Sequence, residues 1–131
     1  MQVKFIESDI LIMAKKDNRL IIYEKMINLI YYSKNLLLKY PKSEKYDLCV
    51  DIKRTEFVIL KNILYAWKEF DNNKKRVYLR QVDVDLMVLK ALIRLSHMSK
   101  YITDKNLMVW SEKIEEIGRL IGAWLKACQK G

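Results

Sequence analysis

Apolar residues recur along most of this chain at alternating steps of three and four, the spacing that places them on one face of an α-helix. The stretch over residues 74–100 shows the pattern clearly. One apolar line there consists of Leu79, Val82, Leu86, Leu89 and Ile93. A second line, on roughly the opposite side, consists of Val77, Val84, Val88, Ala91 and Leu95. Because a surface helix needs only one apolar stripe, this helix three is predicted to be buried against its own chain and against something else.

Two further helices are predicted ahead of helix three. Helix one spans about residues 20–39 and ends before Pro41, because the residue that precedes a proline is pushed out of the α region. Its predicted core face consists of Tyr23, Ile27, Ile30 and Leu37 or Leu38. Helix two is predicted to begin at Ser43, a favourable N-cap, and to end at Asp71. Its predicted core face consists of Cys49, Ile52, Glu56, Ile59 or Leu60, Ile63, Trp67 and Phe70.

Helix four carries the most regular apolar pattern and is predicted to begin after Thr103 as its N-cap. Its core seam consists of Leu107, Trp110, Ile114, Ile117, Ile121, Trp124 and Cys128. Gly118 and Gly122 lie together on one side of this helix, where each glycine costs about 1 kcal/mol relative to alanine. Close approach of a neighbouring backbone is the expected compensation, and a local kink is the alternative.

The predicted fold is an all-α, antiparallel up-down-up-down four-helix bundle over residues 20–131, preceded by a short N-terminal arm over residues 1–19. The arm is predicted to be helical from about Ser8 and to pack on something such as a neighbouring subunit. Three glycines and one proline leave little material for the turns of a many-stranded sheet. No internal repeat or linker divides the bundle, so a single domain is expected.

The chain has a net charge of +9, from 25 Lys and Arg against 16 Asp and Glu. Such an excess attracts polyanions, nucleic acid first and anionic membrane second, although a basic balance also serves solubility alone. Between its apolar lines, helix three carries a basic line that consists of Arg76, Arg80, Lys90 and Arg94. Helix two carries a basic residue every seven positions, at Arg54, Lys61 and Lys68, for which a solvated helix face is the favoured interpretation.

No catalytic or metal-binding constellation is visible in the sequence. His97 is the one histidine, so sites that need two are excluded, and a structural or surface role is favoured for it. Helical ribonucleases of the HEPN type need a wider spacing between an arginine and the histidine than Arg94 and His97 have. We therefore predict no enzymatic activity, no cofactor and no metal.

The two cysteines and the hydropathy of the chain bear on its compartment. Cys49 and Cys128 lie in apolar helical patterns, which is typical of small buried hydrophobes in a reducing environment. Neither a run of apolar residues long enough for a membrane span nor a secretory signal is present. A cytoplasmic protein without membrane contact is the expectation.

Three stretches are similar to segments of one known protein family: LKYPKSEKY at residues 38–46, LIRLSH at residues 92–97 and EIGRLIGAWLK at residues 116–126. In the order and spacing of these stretches and in helix lengths, residues 23–126 resemble the accessory variability determinant (Avd) proteins of diversity-generating retroelements. Those proteins belong with the four-helix bundles encoded in intervening sequences of 23S ribosomal RNA genes. The glycine–tryptophan ending favours the Avd branch.

The resemblance implies a basic homopentameric ring that binds RNA or DNA, acts with the reverse transcriptase and template RNA of its element, and is not an enzyme. The nucleic-acid surface is expected to draw on Lys and Arg of the central helices. The expected residues are Arg54, Lys61, Lys68, Arg76, Arg80, Lys90, Arg94 and Arg119. Two alternatives stay open: a structural, oligomerising module that docks on a protein partner, and a stand-alone protein of the 23S intervening-sequence type.

Overall fold

A computed structural model describes residues 18–129, and within them the chain forms four α-helices and one short 3₁₀ turn, with no strand. The helices are α1 (Arg19–Leu37), α2 (Leu48–Lys68), α3 (Asn72–Met98) and α4 (Asp104–Gln129). Each helix packs on the next along the chain, and α4 also packs on α1, so the four enclose one core. Short connections reverse the chain direction each time, which confirms the predicted antiparallel four-helix bundle. The predicted arm lies outside the described residues except for Asn18 and Arg19.

The opposite faces of α3 have different environments. All five members of the first apolar line, from Leu79 to Ile93, are buried in the core, as predicted. The second line is exposed along its length, with Val77 at 67% and Val84 at 54% of their full accessibility. Within residues 18–129, therefore, the first apolar line of α3 is covered by neighbouring helices and the second line is left exposed.

The predicted core face of helix one is largely wrong. The structure buries Ile22, Met26, Leu29, Ser33, Leu36 and Leu37 of α1. Tyr23 and Ile30 are only half-buried and Ile27 is exposed, although the prediction of Leu37 is confirmed. The reason is that α1 is apolar on nearly all sides, so periodicity defines no single stripe, and packing by α2 and α4 selects the face.

Helix two begins later than predicted, and Ser43 is not its N-cap. Residues Lys42–Glu44 form a 3₁₀ turn, and α2 begins at Leu48. Side-chain contacts with other parts of the chain stabilise the 3₁₀ turn, where a helix start was predicted. The ammonium group of Lys45 donates to the carbonyl oxygen of Leu37 at 2.8 Å, and the hydroxyl of Tyr101 donates to Glu44 Oε2 at 2.7 Å.

The core face of α2 is confirmed over most of its length and wrong at its end. Cys49, Ile52, Glu56, Ile59 and Ile63 are buried as predicted. Ala66 takes the last buried position, whereas Trp67 is half-buried and packs edge-on against Tyr23, with 6.1 Å between the ring centroids. Because α2 ends at Lys68, Phe70 leaves the helical register and is 97% exposed.

The prediction for helix four is confirmed at its start and along its seam. Thr103 Oγ1 accepts a hydrogen bond from the backbone N–H of Asn106 at 3.0 Å, which is an N-cap bond. The buried seam residues are Trp110, Ile114, Ile117, Ile121 and Cys128, with Leu107 and Trp124 half-buried beside them. Apart from the adjoining stretch of α4 itself, a Cβ added to Gly118 or Gly122 would meet no atom of the described residues within 4 Å. The close approach expected at these glycines is therefore not made by this bundle itself.

Candidate nucleic-acid interface

A groove along the seam between α3 and α4 collects three of the predicted nucleic-acid-binding residues. One section, of about 650 Å³, is lined by Lys90, Arg94, Ala91, His97, Met98, Leu107 and Ser111. The adjoining section, of about 430 Å³, is lined by Lys90, Arg119, Asp83, Leu86, Met87, Ile114, Glu115 and Gly118. We call these two sections together the α3–α4 groove. Lys90 lies in both sections, so Arg94 and Arg119 flank it along one continuous surface.

The three basic residues of the α3–α4 groove differ in how they are paired. Lys90 Nζ lies 3.0 Å from Glu115 Oε2 across the seam, in a half-exposed ion pair. Arg94 and Arg119 are exposed, and neither pairs with a carboxylate within residues 18–129. Exposed ion pairs are worth only about 0–1 kcal/mol, so Lys90 can exchange Glu115 for a ligand phosphate at small cost. All three cations are thus available to an anionic ligand.

His97 closes the end of this groove. Its Nε2 lies 2.6 Å from Asp104 Oδ1, which links the last turn of α3 to the first turn of α4. The contact is exposed on the Asp104 side and fixes the connection between the two helices. This placement fits the structural role that the sequence favours for His97, at the edge of a basic surface.

The remaining basic residues of α3 continue towards the other end of the bundle. Arg80 is exposed, and the guanidinium group of Arg76 donates to Asn73 Oδ1. Arg76 and Lys90 are about 21 Å apart along the axis, at a rise of about 1.5 Å per residue. Asp83 and Met87 lie between them on the same side of α3, so the basic line is interrupted rather than continuous.

The structure does not bring the basic line of α2 to the α3–α4 groove. Arg54, Lys61 and Lys68 are exposed on the side of α2 that faces away from its buried residues. Arg54 Nη1 lies 3.5 Å from Asp51 Oδ1 on the same helix, and Lys68 lines a groove between α1 and α2. Of the eight residues predicted from the sequence, three therefore line the α3–α4 groove, two lie apart from it near the start of α3, and three lie on the outer side of α2.

A buried polar cluster lies apart from the α3–α4 groove, between α1, α2 and α4. Its one sequence signal was Glu56 at a core position of helix two. The Oγ atom of Ser33 is hydrogen-bonded to Glu56 Oε2, accepts from Trp110 Nε1 at 2.8 Å and lies 2.9 Å from the carbonyl oxygen of Leu29. Glu56 is only 2% exposed, and this burial raises its pKa from 4.5 to about 8. The neutral carboxyl can donate its proton to Ser33, whose own proton then goes to Leu29. We call this the Glu56 cluster.

The Glu56 cluster connects helices rather than forming a reactive centre. Ser33 belongs to α1, Glu56 to α2 and Trp110 to α4, so one hydroxyl joins three helices.

Within residues 18–129, no group of three or more His, Cys, Asp or Glu side chains is placed to hold a metal ion. Cys49 and Cys128 are buried free thiols. None of the four described helices is long and apolar enough to cross a lipid bilayer.

These features define a class: an antiparallel bundle of four helices with a cation-lined groove along the seam of its last two. The sequence matches the bAvd-like family over residues 20–128, and the chain belongs to that family. It is thus a protein of the accessory variability determinant type, which confirms the resemblance seen in the three short sequence stretches, and the family is one of non-catalytic accessory proteins. No curated protein matches the chain.

Proposed function

We propose that this protein is a nucleic-acid-binding accessory factor of a diversity-generating retroelement, without catalysis of its own, that acts with the reverse transcriptase and template RNA in mutagenic copying. The observation that carries the proposal is the α3–α4 groove, in which Lys90, Arg94 and Arg119 lie together on a member of the bAvd-like family. The net charge of +9 draws polyanions to the surface as a whole.

The groove recognises phosphates rather than base sequence. Arg94 and Arg119 present planar guanidinium groups that can bind phosphate oxygens in pairs, and Lys90 adds a point charge between them. Phosphate contacts position a nucleic acid without reading its bases, so the expected binding is weakly sequence-specific. Each contact releases counterions, which makes the affinity fall with salt.

Salt dependence tests this function directly. Fluorescence anisotropy of a labelled 12-nucleotide single strand should show an affinity that falls steeply as the salt concentration rises from 50 to 200 mM. With about three phosphate contacts and a slope of ~0.7 per contact, the logarithm of the affinity should fall by about 2 per tenfold rise in salt. An affinity that barely changes over this range would contradict phosphate binding.

Assembly into a homopentameric ring is part of the proposal. The exposed apolar line of α3, which includes Val77, Val84, Val88 and Leu95, supports burial of this face against a second copy. A ring of basic subunits would also multiply weak phosphate contacts on one nucleic-acid chain. The same apolar face supports the second candidate function, a module that docks on a protein partner.

Replacing Val84 and Val88 with glutamate tests the assembly. Both side chains are exposed in the single chain, so the bundle should still fold, whereas buried charges would disrupt a subunit interface. Light scattering should then give the monomer mass of 15.7 kDa for the variant and a multiple of it for the wild type. The control is Tyr31→Glu, which places a charge at an exposed apolar position on a different helix, α1. This variant should stay oligomeric. A wild-type protein that is itself a monomer would refute the ring.

A further inference from the structure

The turn between α2 and α3 presents an aromatic ring to solvent. Phe70 is 97% exposed, the most exposed of the large apolar side chains in the part of the chain that the structure describes. Burying such a side chain is worth about 1.5–3 kcal/mol, so leaving it in water forgoes a substantial stabilisation. Both faces of the ring are open to a ligand.

The backbone of this turn is fixed. Glu69 Oε2 accepts hydrogen bonds from the N–H groups of Phe70 at 3.1 Å and of Asp71 at 3.2 Å. Asp71 in turn caps α3, because its Oδ2 accepts from the N–H of Lys74 at 3.0 Å. The two carboxylates are therefore engaged in holding the turn. A ligand that binds Phe70 meets a preorganised backbone and loses little conformational entropy in ordering it.

Basic residues flank the exposed ring. Residues 68–76 contain four basic side chains and two acidic ones, and both acidic groups are the carboxylates that hold the turn. Lys68 and Lys74 are both exposed, and in the sequence they precede and follow Phe70. Lys75 follows Lys74 in the chain and lines a groove of about 420 Å³ at the same end of the bundle. An aromatic ring between lysines is suited to a ligand that carries both flat π-faces and negative charge.

We propose that the Phe70 turn, residues 68–75, is a contact site for single-stranded nucleic acid in which one unpaired base stacks on the ring of Phe70 while Lys68 and Lys74 contact the phosphates beside it. Unpaired bases expose their faces, and base–aromatic stacking is a common element of single-strand binding. A duplex offers phosphates and groove edges, but its base faces are covered by neighbouring bases. The inference rests on the proposed function. It adds to the α3–α4 groove a second contact, which favours single-stranded over double-stranded nucleic acid.

The test compares a fluorescein-labelled dT12 strand with the dT12·dA12 duplex, using full-length protein and fluorescence anisotropy at fixed low salt. Phe70→Ala should lower the affinity for dT12 by about tenfold, the scale of one lost base stack, and change the affinity for the duplex by less than about twofold. Phe70→Leu keeps an apolar side chain without a π-face and should lose nearly as much. Tyr31→Ala, which removes an exposed ring from the middle of α1, should change neither affinity.

A Phe70→Trp variant gives a direct spectroscopic readout. It should keep the affinity for dT12, and its tryptophan fluorescence should be quenched on binding by more than that of the wild type, because stacking places the new indole against a base. Phe70 makes no core contact, so thermal unfolding followed by circular dichroism should match the wild type for all three Phe70 variants.

Several outcomes would overturn the inference. Equal losses of strand and duplex affinity in Phe70→Ala would show that the ring does not select single strands. Full affinity in Phe70→Leu would indicate apolar docking, as for a protein partner. A wild type that binds dT12 in a salt-dependent manner while no Phe70 variant changes the affinity would refute the Phe70 site alone, whereas a wild type that binds neither probe would refute the proposed function with it.

Discussion

Replacing Arg94 and Arg119 together with alanine is expected to weaken the binding of a 12-nucleotide single strand by about 25-fold at 0.1 M salt. The two guanidinium groups flank Lys90 in the α3–α4 groove and pair with no carboxylate of the described chain. A slope of ~0.7 per phosphate contact corresponds to about fivefold in affinity per contact at this salt concentration, and two contacts are lost. The salt slope itself should fall by about 1.4.

The matched control for this prediction removes two cations elsewhere. Lys39→Ala with Lys42→Ala changes the net charge equally at exposed positions after α1. If only the overall charge mattered, both double variants would lose affinity and slope to the same extent. If the Arg94→Ala, Arg119→Ala variant binds like the wild type, the nucleic-acid surface lies elsewhere. Arg54→Ala with Lys61→Ala would then test the separate basic line of α2.

The second large effect is a fall in stability with rising pH that depends on one buried carboxyl. Burial in the Glu56 cluster raises the pKa of Glu56 from 4.5 to about 8, so the folded chain holds a proton that the unfolded chain releases. Between these two values the unfolded state binds fewer protons, and the free energy of unfolding should decrease by up to ~1.4 kcal/mol per pH unit. The stabilisation is fully present below about pH 4.5 and is lost as the pH rises through about 8.

The surroundings of Glu56 explain why burial controls its charge. Lys34 and Lys53 line a groove of about 420 Å³ beside it, but both are exposed and no hydrogen bond joins either of them to the carboxyl. The direct partner is the neutral hydroxyl of Ser33, with the indole N–H of Trp110 behind it. A neutral carboxyl satisfies this cluster, whereas a carboxylate would bring an unpaired charge into the core.

Glu56→Gln is the variant that isolates this effect. The amide has the shape of the neutral carboxyl, can donate to Ser33 and does not titrate. Urea unfolding at fixed protein concentration should show similar stability for variant and wild type near pH 5 and a more stable variant above pH 8. Glu112→Gln changes an exposed carboxyl of α4 and should keep the wild-type pH dependence. A wild-type profile no steeper than that of Glu56→Gln would mean that Glu56 is ionised in the folded protein.

The elements that were predictable from the sequence are those with one unambiguous apolar stripe. On α3, the line from Leu79 to Ile93 is buried in full, and on α4 the seam around Trp110 and Ile117 is buried with it. Thr103 is likewise a local signal, since an N-cap bond joins residues three positions apart. In each case the physical cause acts within one or two helical turns, so the amino-acid order suffices.

Where local signals compete, packing decided the outcome. The α1 helix is apolar on nearly all sides, and only the positions of α2 and α4 select Met26 and Leu29 rather than Ile27 for the core. Ser43 is a favourable N-cap in isolation, yet the chain forms a 3₁₀ turn there. Glu44 accepts a hydrogen bond from Tyr101, 57 residues further along the chain, and Lys45 donates back to the end of α1 at Leu37. Long-range hydrogen bonds of this kind leave no periodic trace in the sequence.

The sequence by itself determined the four-helix bundle, its basic character and the identity of the basic residues on each helix. Only the tertiary structure decided that Arg119 of α4 lies beside Lys90 of α3, that Arg54 faces another surface, and that Glu56 shares a buried proton network with Ser33. The physical reason is that periodicity fixes how a side chain points around its own helix axis, whereas helix packing fixes which neighbouring surface it meets.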